Sequence, residues 1–79
     1  MLGFQRRLIE EEQDKFIDHR FNKTIVRKIT ALTGAELDKF MRLFRPTFEF
    51  TKMSNDYEFY YYIKQSYLQY RAVFKPGNQ

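Results

Sequence analysis

The chain has no cysteine, a single histidine, two prolines and three glycines in 79 residues. Without cysteine there is no disulfide scaffold, no thiolate zinc site and no thiol nucleophile. One imidazole, His19, is too few for a histidine-based metal site, and its neighbour Asp18 is a poor orienting partner because adjacent helical residues do not face each other. No glycine-rich phosphate loop is present, and no two acids are paired by spacing inside an apolar stretch. Catalysis is therefore not expected. Hydrophobic runs stay far below the ~18 residues of a membrane span. The opening residues, MLGFQRRLIEEEQ, turn acidic where a signal peptide would turn apolar, so no export signal is visible.

What the chain does have is aromatic mass. Nine phenylalanines and six tyrosines make up 19% of it, beside 30% charged residues. That composition reads as a single folded domain over residues 1–79, although a chain this size buries only ~60% of its unfolded surface. The net charge of +4 is diffuse. Residues 1–35 and 57–79 each carry an excess of two basic side chains, and residues 36–56 are balanced. Such a spread favours solubility and weak attraction to polyanions, without itself marking a nucleic-acid groove.

Neither glycine nor proline occurs between Phe4 and Thr33, which permits a long helical stretch. Asn22 offers a break in it. As N-cap, Asn22 would place Phe21 and Val26 at the N′ and N4 positions of a hydrophobic staple. Ile25, Ile29 and Leu32 would then line one face. The alternative is one unbroken helix to Leu32. Thr33-Gly34-Ala35-Glu36 fits a capping box, with Leu32 and Leu37 as its staple. Leu37, Phe40, Met41 and Phe44 follow at i, i+3, i+4, i+7, and Pro46 stops that helix by Phe44. In TFEFTKM, residues 47–53, Phe48 and Phe50 alternate with polar neighbours, which reads as an extended piece or a turn. Asn55 is the next N-cap, with Asp56 in the first turn and Glu58 at N3. Phe59, Ile63, Tyr67, Tyr70 and Phe74 then form a long stripe, flanked by Tyr57, Tyr61 and Leu68.

The expected fold is all-α: a small bundle of three to four helices, over about 4–20, 23–32, 34–44 and 56–74. An irregular or extended link is expected at 46–54. Residues 1–20 would form a docking or projecting helix, with Leu2, Phe4, Leu8 and Ile9 on its apolar side.

Two constellations stand out. Tyr60, Tyr61 and Tyr62 are consecutive and fan over about 200° of a helix, so not all can face inward. Core burial explains most of the aromatics, but Tyr57, Tyr61 and Tyr62 are candidates for a partner-binding surface. Arg20, Lys23, Arg27 and Lys28 are the second group, the first three at i, i+3, i+7. An amphipathic helix ordinarily turns such charges to solvent. The sharper reading is contact with phosphate or acidic protein. A helix–turn–helix reading of Ile25–Phe44 is disfavoured, because its second helix opens Ala35-Glu36-Leu37-Asp38 and two carboxylates there would repel phosphate.

Residues 21–71 are similar to the helical C-terminal region of exported bacterial proteins that begin with a carboxypeptidase-regulatory-like β-domain. The matching features are Leu32-Thr33-Gly34 followed by Glu36-Leu37, Phe40-Met41, the Phe48–Phe50 segment, and Asp56-Tyr57-Glu58 leading into Tyr62-Ile63-Lys64. The resemblance implies a non-enzymatic role and a location in a gram-negative envelope. It carries over no binding residue, and this chain shows neither the β-domain nor an export signal.

The expectation is a non-catalytic interaction module that binds a protein partner or itself, with no cofactor, metal or small-molecule substrate. A small basic nucleic-acid-binding module is the alternative.

Overall fold

A computed structural model describes the backbone of residues 2–74 and the side chains of residues 9–74. These form five helical segments: α1 (Leu2–Arg20), α2 (Lys23–Thr30), α3 (Gly34–Leu43), α4 (Phe48–Met53) and α5 (Asp56–Phe74). The all-α bundle matches the sequence expectation. Among the described residues no helix is long and apolar enough to cross a membrane.

The break at Asn22 is made by one side chain serving two helices. Its Oδ1 accepts from the Ile25 N–H at 3.0 Å and caps α2, while its Nδ2 donates to the His19 carbonyl at 2.9 Å and closes α1. Orphan groups at both ends are thereby satisfied. The staple pair Phe21 and Val26 is buried in the core. Helix α2 ends at Ala31, whose φ of 68° is left-handed, a conformation that strains any residue with a Cβ. The buried Thr30 hydroxyl donates to the Val26 carbonyl at 2.8 Å and accepts from the Leu32 N–H at 3.2 Å, so the tight turn leaves neither group unpaired.

The capping box expected at Thr33 does not form, whereas the Asn55–Glu58 pair expected at the last helix does. Thr33 precedes α3 as expected but its side chain makes no cap bond. Gly34 begins the helix at φ +61°, which redirects the chain and explains why glycine stands there: the space around its Cα is open, but the dihedral is not. Glu36, the other half of that box, accepts instead from the Tyr70 hydroxyl. The reciprocal box lies at α5, where Asn55 Oδ1 accepts from the Glu58 N–H at 2.7 Å and Glu58 Oε1 accepts from the Asn55 N–H at 3.0 Å.

The link at 46–54 is a correction. In place of an extended piece the chain closes α4, one and a half turns long. Thr47 caps it, accepting from the Phe50 N–H at 3.1 Å. The hydroxyls of Thr51 and Ser54 donate back to the carbonyls of Thr47 and Phe50. Two residues apart on a helix, Phe48 and Phe50 point to opposite sides. Phe48 packs edge-on against Phe16 of α1 at 5.5 Å, and Phe50 stacks on Phe59 of α5 at 6.2 Å. The alternation that suggests a strand thus serves a helix wedged between two others.

The core is built by α2, α3 and α5 around Val26, Leu37, Phe40 and Ile63, with Ile17 of α1 and Phe21 just beyond it closing one side. Phe40 is fully buried and meets Tyr70 edge-to-face at 5.6 Å, an arrangement that suits the ring quadrupoles. From Ile9 to Phe16 no side chain of α1 is buried. Leu2, Phe4 and Leu8, candidates for its docking side, lie outside the described side chains.

Arg20 fastens α1 to this body. Its Nη1 donates to the carbonyls of Thr51 and Ser54, the second at 2.9 Å, and its Nη2 pairs with Asp56 at 3.3 Å. The guanidinium also lies 4.5 Å from the centre of the Phe59 ring. A cation here answers the unpaired carbonyls at the end of α4. On the other side of α1, Arg45 reaches Asp18 at 2.7 Å and Asp14 at 3.6 Å.

Two stability predictions follow from these contacts. Arg20→Met should cost about 2 kcal/mol, the scale of charge-assisted bonds to part-buried carbonyls. Arg27→Met, on an exposed side chain, should stay within about 0.5 kcal/mol in the same urea titration. Asn55→Ala should cost about 1 kcal/mol, whereas Thr33→Ala should cost little because its hydroxyl caps nothing. Equal losses from the last two would contradict the assignment of the box.

Candidate functional site

Helix α5 has two faces with the same spacing. Phe59, Ile63, Ser66 and Tyr70, separated by four, three and four residues, are its buried side. On the opposite side Tyr57, Tyr61, Lys64 and Leu68 are separated by the same steps and stand in solvent. Tyr57 is 71% exposed, Tyr61 52% and Leu68 50%. The Tyr57 and Tyr61 rings lie nearly parallel, with centres 6.3 Å apart.

Beside this face α4 and α5 enclose an open apolar groove of about 590 Å³. Phe50 and Tyr62 form part of its wall, Tyr57 and Tyr61 line it from α5, and Met53, 78% exposed, lines it from α4. Glu58 and Gln65 supply its polar side chains together with Ser54. The break between α4 and α5 positions the groove: α4 ends at Met53 with Ser54 as its C-cap, the Asn55–Glu58 box starts α5 at Asp56, and Met53 and Tyr57 line the groove from the two helices.

The three tyrosines singled out from the sequence therefore line one groove but differ in freedom. Tyr57 and Tyr61 are exposed. Tyr62 is half-buried, donates to the Phe44 carbonyl at 2.8 Å and packs on Phe50 at 4.9 Å, so it is a fixed wall. Met53 was not among the sequence candidates. No local signal marks it, because its exposure depends on a helix over Phe48–Met53 that the alternation of Phe48 and Phe50 does not suggest.

The four basic residues do not form one stripe. Asn22 breaks the helix between Arg20 and Lys23, and Arg20 turns inward to α4 and α5. Lys23 pairs with Asp38 at 3.2 Å. Arg27 and Lys28 are exposed in the last turn of α2, where their charge suits the helix dipole.

A second open cleft, about 490 Å³, lies between α1, α2 and α5. Phe16, Ile25, Ile29 and Tyr60 give it apolar walls, and His19, Arg20 and Asp56 stand along it. Arg20 and Asp56 there are joined to each other. Among the described residues no group of three histidines or acids could hold a metal ion.

Tyr70 is the buried titratable group of the core. Burial first, then the bond its hydroxyl donates to Glu36 and the charge of that carboxylate, push its pKa from 10.0 up to about 12. The folded protein thus holds this proton more tightly than the unfolded chain does. Its contribution to stability is complete below about pH 10 and is lost as pH rises towards about 12. Urea midpoints of the wild type and Tyr70→Phe should differ at pH 9, and the wild-type advantage should disappear across that interval. A constant difference would contradict the coupling.

Set against protein-family models, curated proteins and solved structures, the chain matches none. The chemistry of the α5 face has to be read from its own residues. Tyrosine offers a large rigid apolar surface with a polar tip, and methionine a flexible one, a combination suited to covering another protein's apolar side chains.

Proposed function

We propose that this chain is a non-catalytic helical interaction module that binds a protein partner, or another copy of itself, through the aromatic face of α5. The reading rests on one observation. Met53, Tyr57 and Tyr61 are held exposed beside an apolar groove, on a domain small enough to need its aromatics for its own core. Tyrosine is also among the residues that dominate binding energy at protein interfaces. The resemblance of residues 21–71 to a non-enzymatic helical region agrees with this role. A nucleic-acid reading draws less support, since Arg20 and Lys23 spend their charges on Asp56 and Asp38.

A photo-crosslinking residue at position 61 tests the reading in cells producing the chain. Adducts should form there and not with the same residue at position 49, which is also exposed. Tyr57→Ser combined with Tyr61→Ser should abolish binding while lowering the melting temperature by only a few degrees. No adduct at position 61, or a collapse of the double variant's fold, would end the proposal.

A further inference from the structure

The outward side chains of α5 follow a coiled-coil rule. Tyr57, Tyr61, Lys64 and Leu68 repeat at four, three and four residues, the spacing of a two-heptad seam. All four are exposed, and the core-facing seam lies on the far side of the same helix. A helix with seams on both sides has one neighbour inside its own domain and room for one outside it.

We propose that the outside neighbour is α5 of a second copy of this chain, paired antiparallel. The inference rests on the reading of α5 as a docking face. Antiparallel pairing is favoured by the residues themselves, since it sets each end of the seam against the opposite end of its copy. Tyr57 meets Leu68 of the other copy, and Tyr61 meets Lys64. The first layer is apolar. The second lays the aliphatic stem and ammonium of lysine over a tyrosine ring, as Lys64 already does with Tyr60 at 5.8 Å. No acid lies in the seam to meet another acid. Parallel pairing would instead stack Lys64 directly on Lys64.

The area is sufficient for a weak dimer. Tyr57, Tyr61, Leu68 and the adjoining Met53 present roughly 500 Å² per copy, hence roughly 1,000 Å² across the pair. That is the lower edge for a specific interface, so association in the micromolar range or weaker is expected. Lys64 keeps it weak, because a cation in a seam specifies register at the expense of affinity.

Light scattering and sedimentation from about 5 to 500 µM should show the 9.8 kDa chain passing into a dimer. Tyr61→Glu should keep the chain monomeric with its helical circular dichroism intact. Lys64→Leu should complete the seam and tighten the dimer at least tenfold, a gain that a folding defect cannot mimic. The natural chain lacks cysteine, so single cysteines report the register. Chains carrying Y57C and L68C should form a mixed disulfide under mild oxidation. Y57C should not link to itself, since the two copies of that position lie about 16 Å apart along the helix axis. A monomer at 500 µM for both the wild type and Lys64→Leu would overturn the proposal. So would a dimer indifferent to both substitutions, or efficient Y57C homodimers. If position 61 still crosslinks to a different protein in cells, the docking face stands and only its occupant is wrong.

Discussion

Helices α1, α4 and α5 meet at the guanidinium of Arg20. The group takes two carbonyls at the end of α4 and a carboxylate at the start of α5, and it lies over the Phe59 ring between them. Each of those contacts answers a local need. At the end of this six-residue helix the Phe50 carbonyl takes the Ser54 N–H and hydroxyl, while the carbonyls of Thr51 and Ser54 take the donors of the cation's planar fork. Because α4 is too short to be stable alone, its position depends on this clamp and on the two phenylalanines that wedge it. The position of α4 in turn decides where Met53 and Phe50 stand, and hence whether there is a groove beside Tyr57 and Tyr61.

A division of labour among the aromatics follows. Phe21, Phe40, Phe59 and Tyr70 close the core, and Phe48 and Phe50 hold α4. Tyr62 ties α5 to the end of α3 through its hydroxyl. Tyr57 and Tyr61 have no such duty. Other large apolar side chains, Val73 and Leu43 among them, are also exposed, but Tyr57 and Tyr61 stack on each other beside an apolar groove. The interaction role proposed for the chain grows out of that placement.

Helix boundaries were legible in the sequence, because the signals that set them act within four residues. Asn22 and Asn55 cap where their spacing to the following turn places them, Pro46 limits α3, and the stripe from Phe59 to Tyr70 faces inward as its period requires. The same locality explains the box that does not form at Thr33. Thr33 and Glu36 have the right spacing, but Gly34 enters the helix in a left-handed conformation and a tyrosine 34 residues away takes the Glu36 carboxylate. Alternation at Phe48 and Phe50 was compatible with either a strand or a helix carrying neighbours on both sides, and only the neighbours distinguish the two.

The sequence alone determined the class of fold, the ends of most helices and the aromatic surplus on α5, since periodicity and capping are properties of adjacent residues. Tertiary structure decided the rest. It turned Arg20 from a member of a basic stripe into a clamp and gave Glu36 to Tyr70. It also fixed Tyr62 while leaving Tyr57 and Tyr61 free. The physical reason is common to all of these. A charged or aromatic side chain takes the partner with the best geometry within its reach, and for Arg20 that partner lies 31 to 36 residues along the chain.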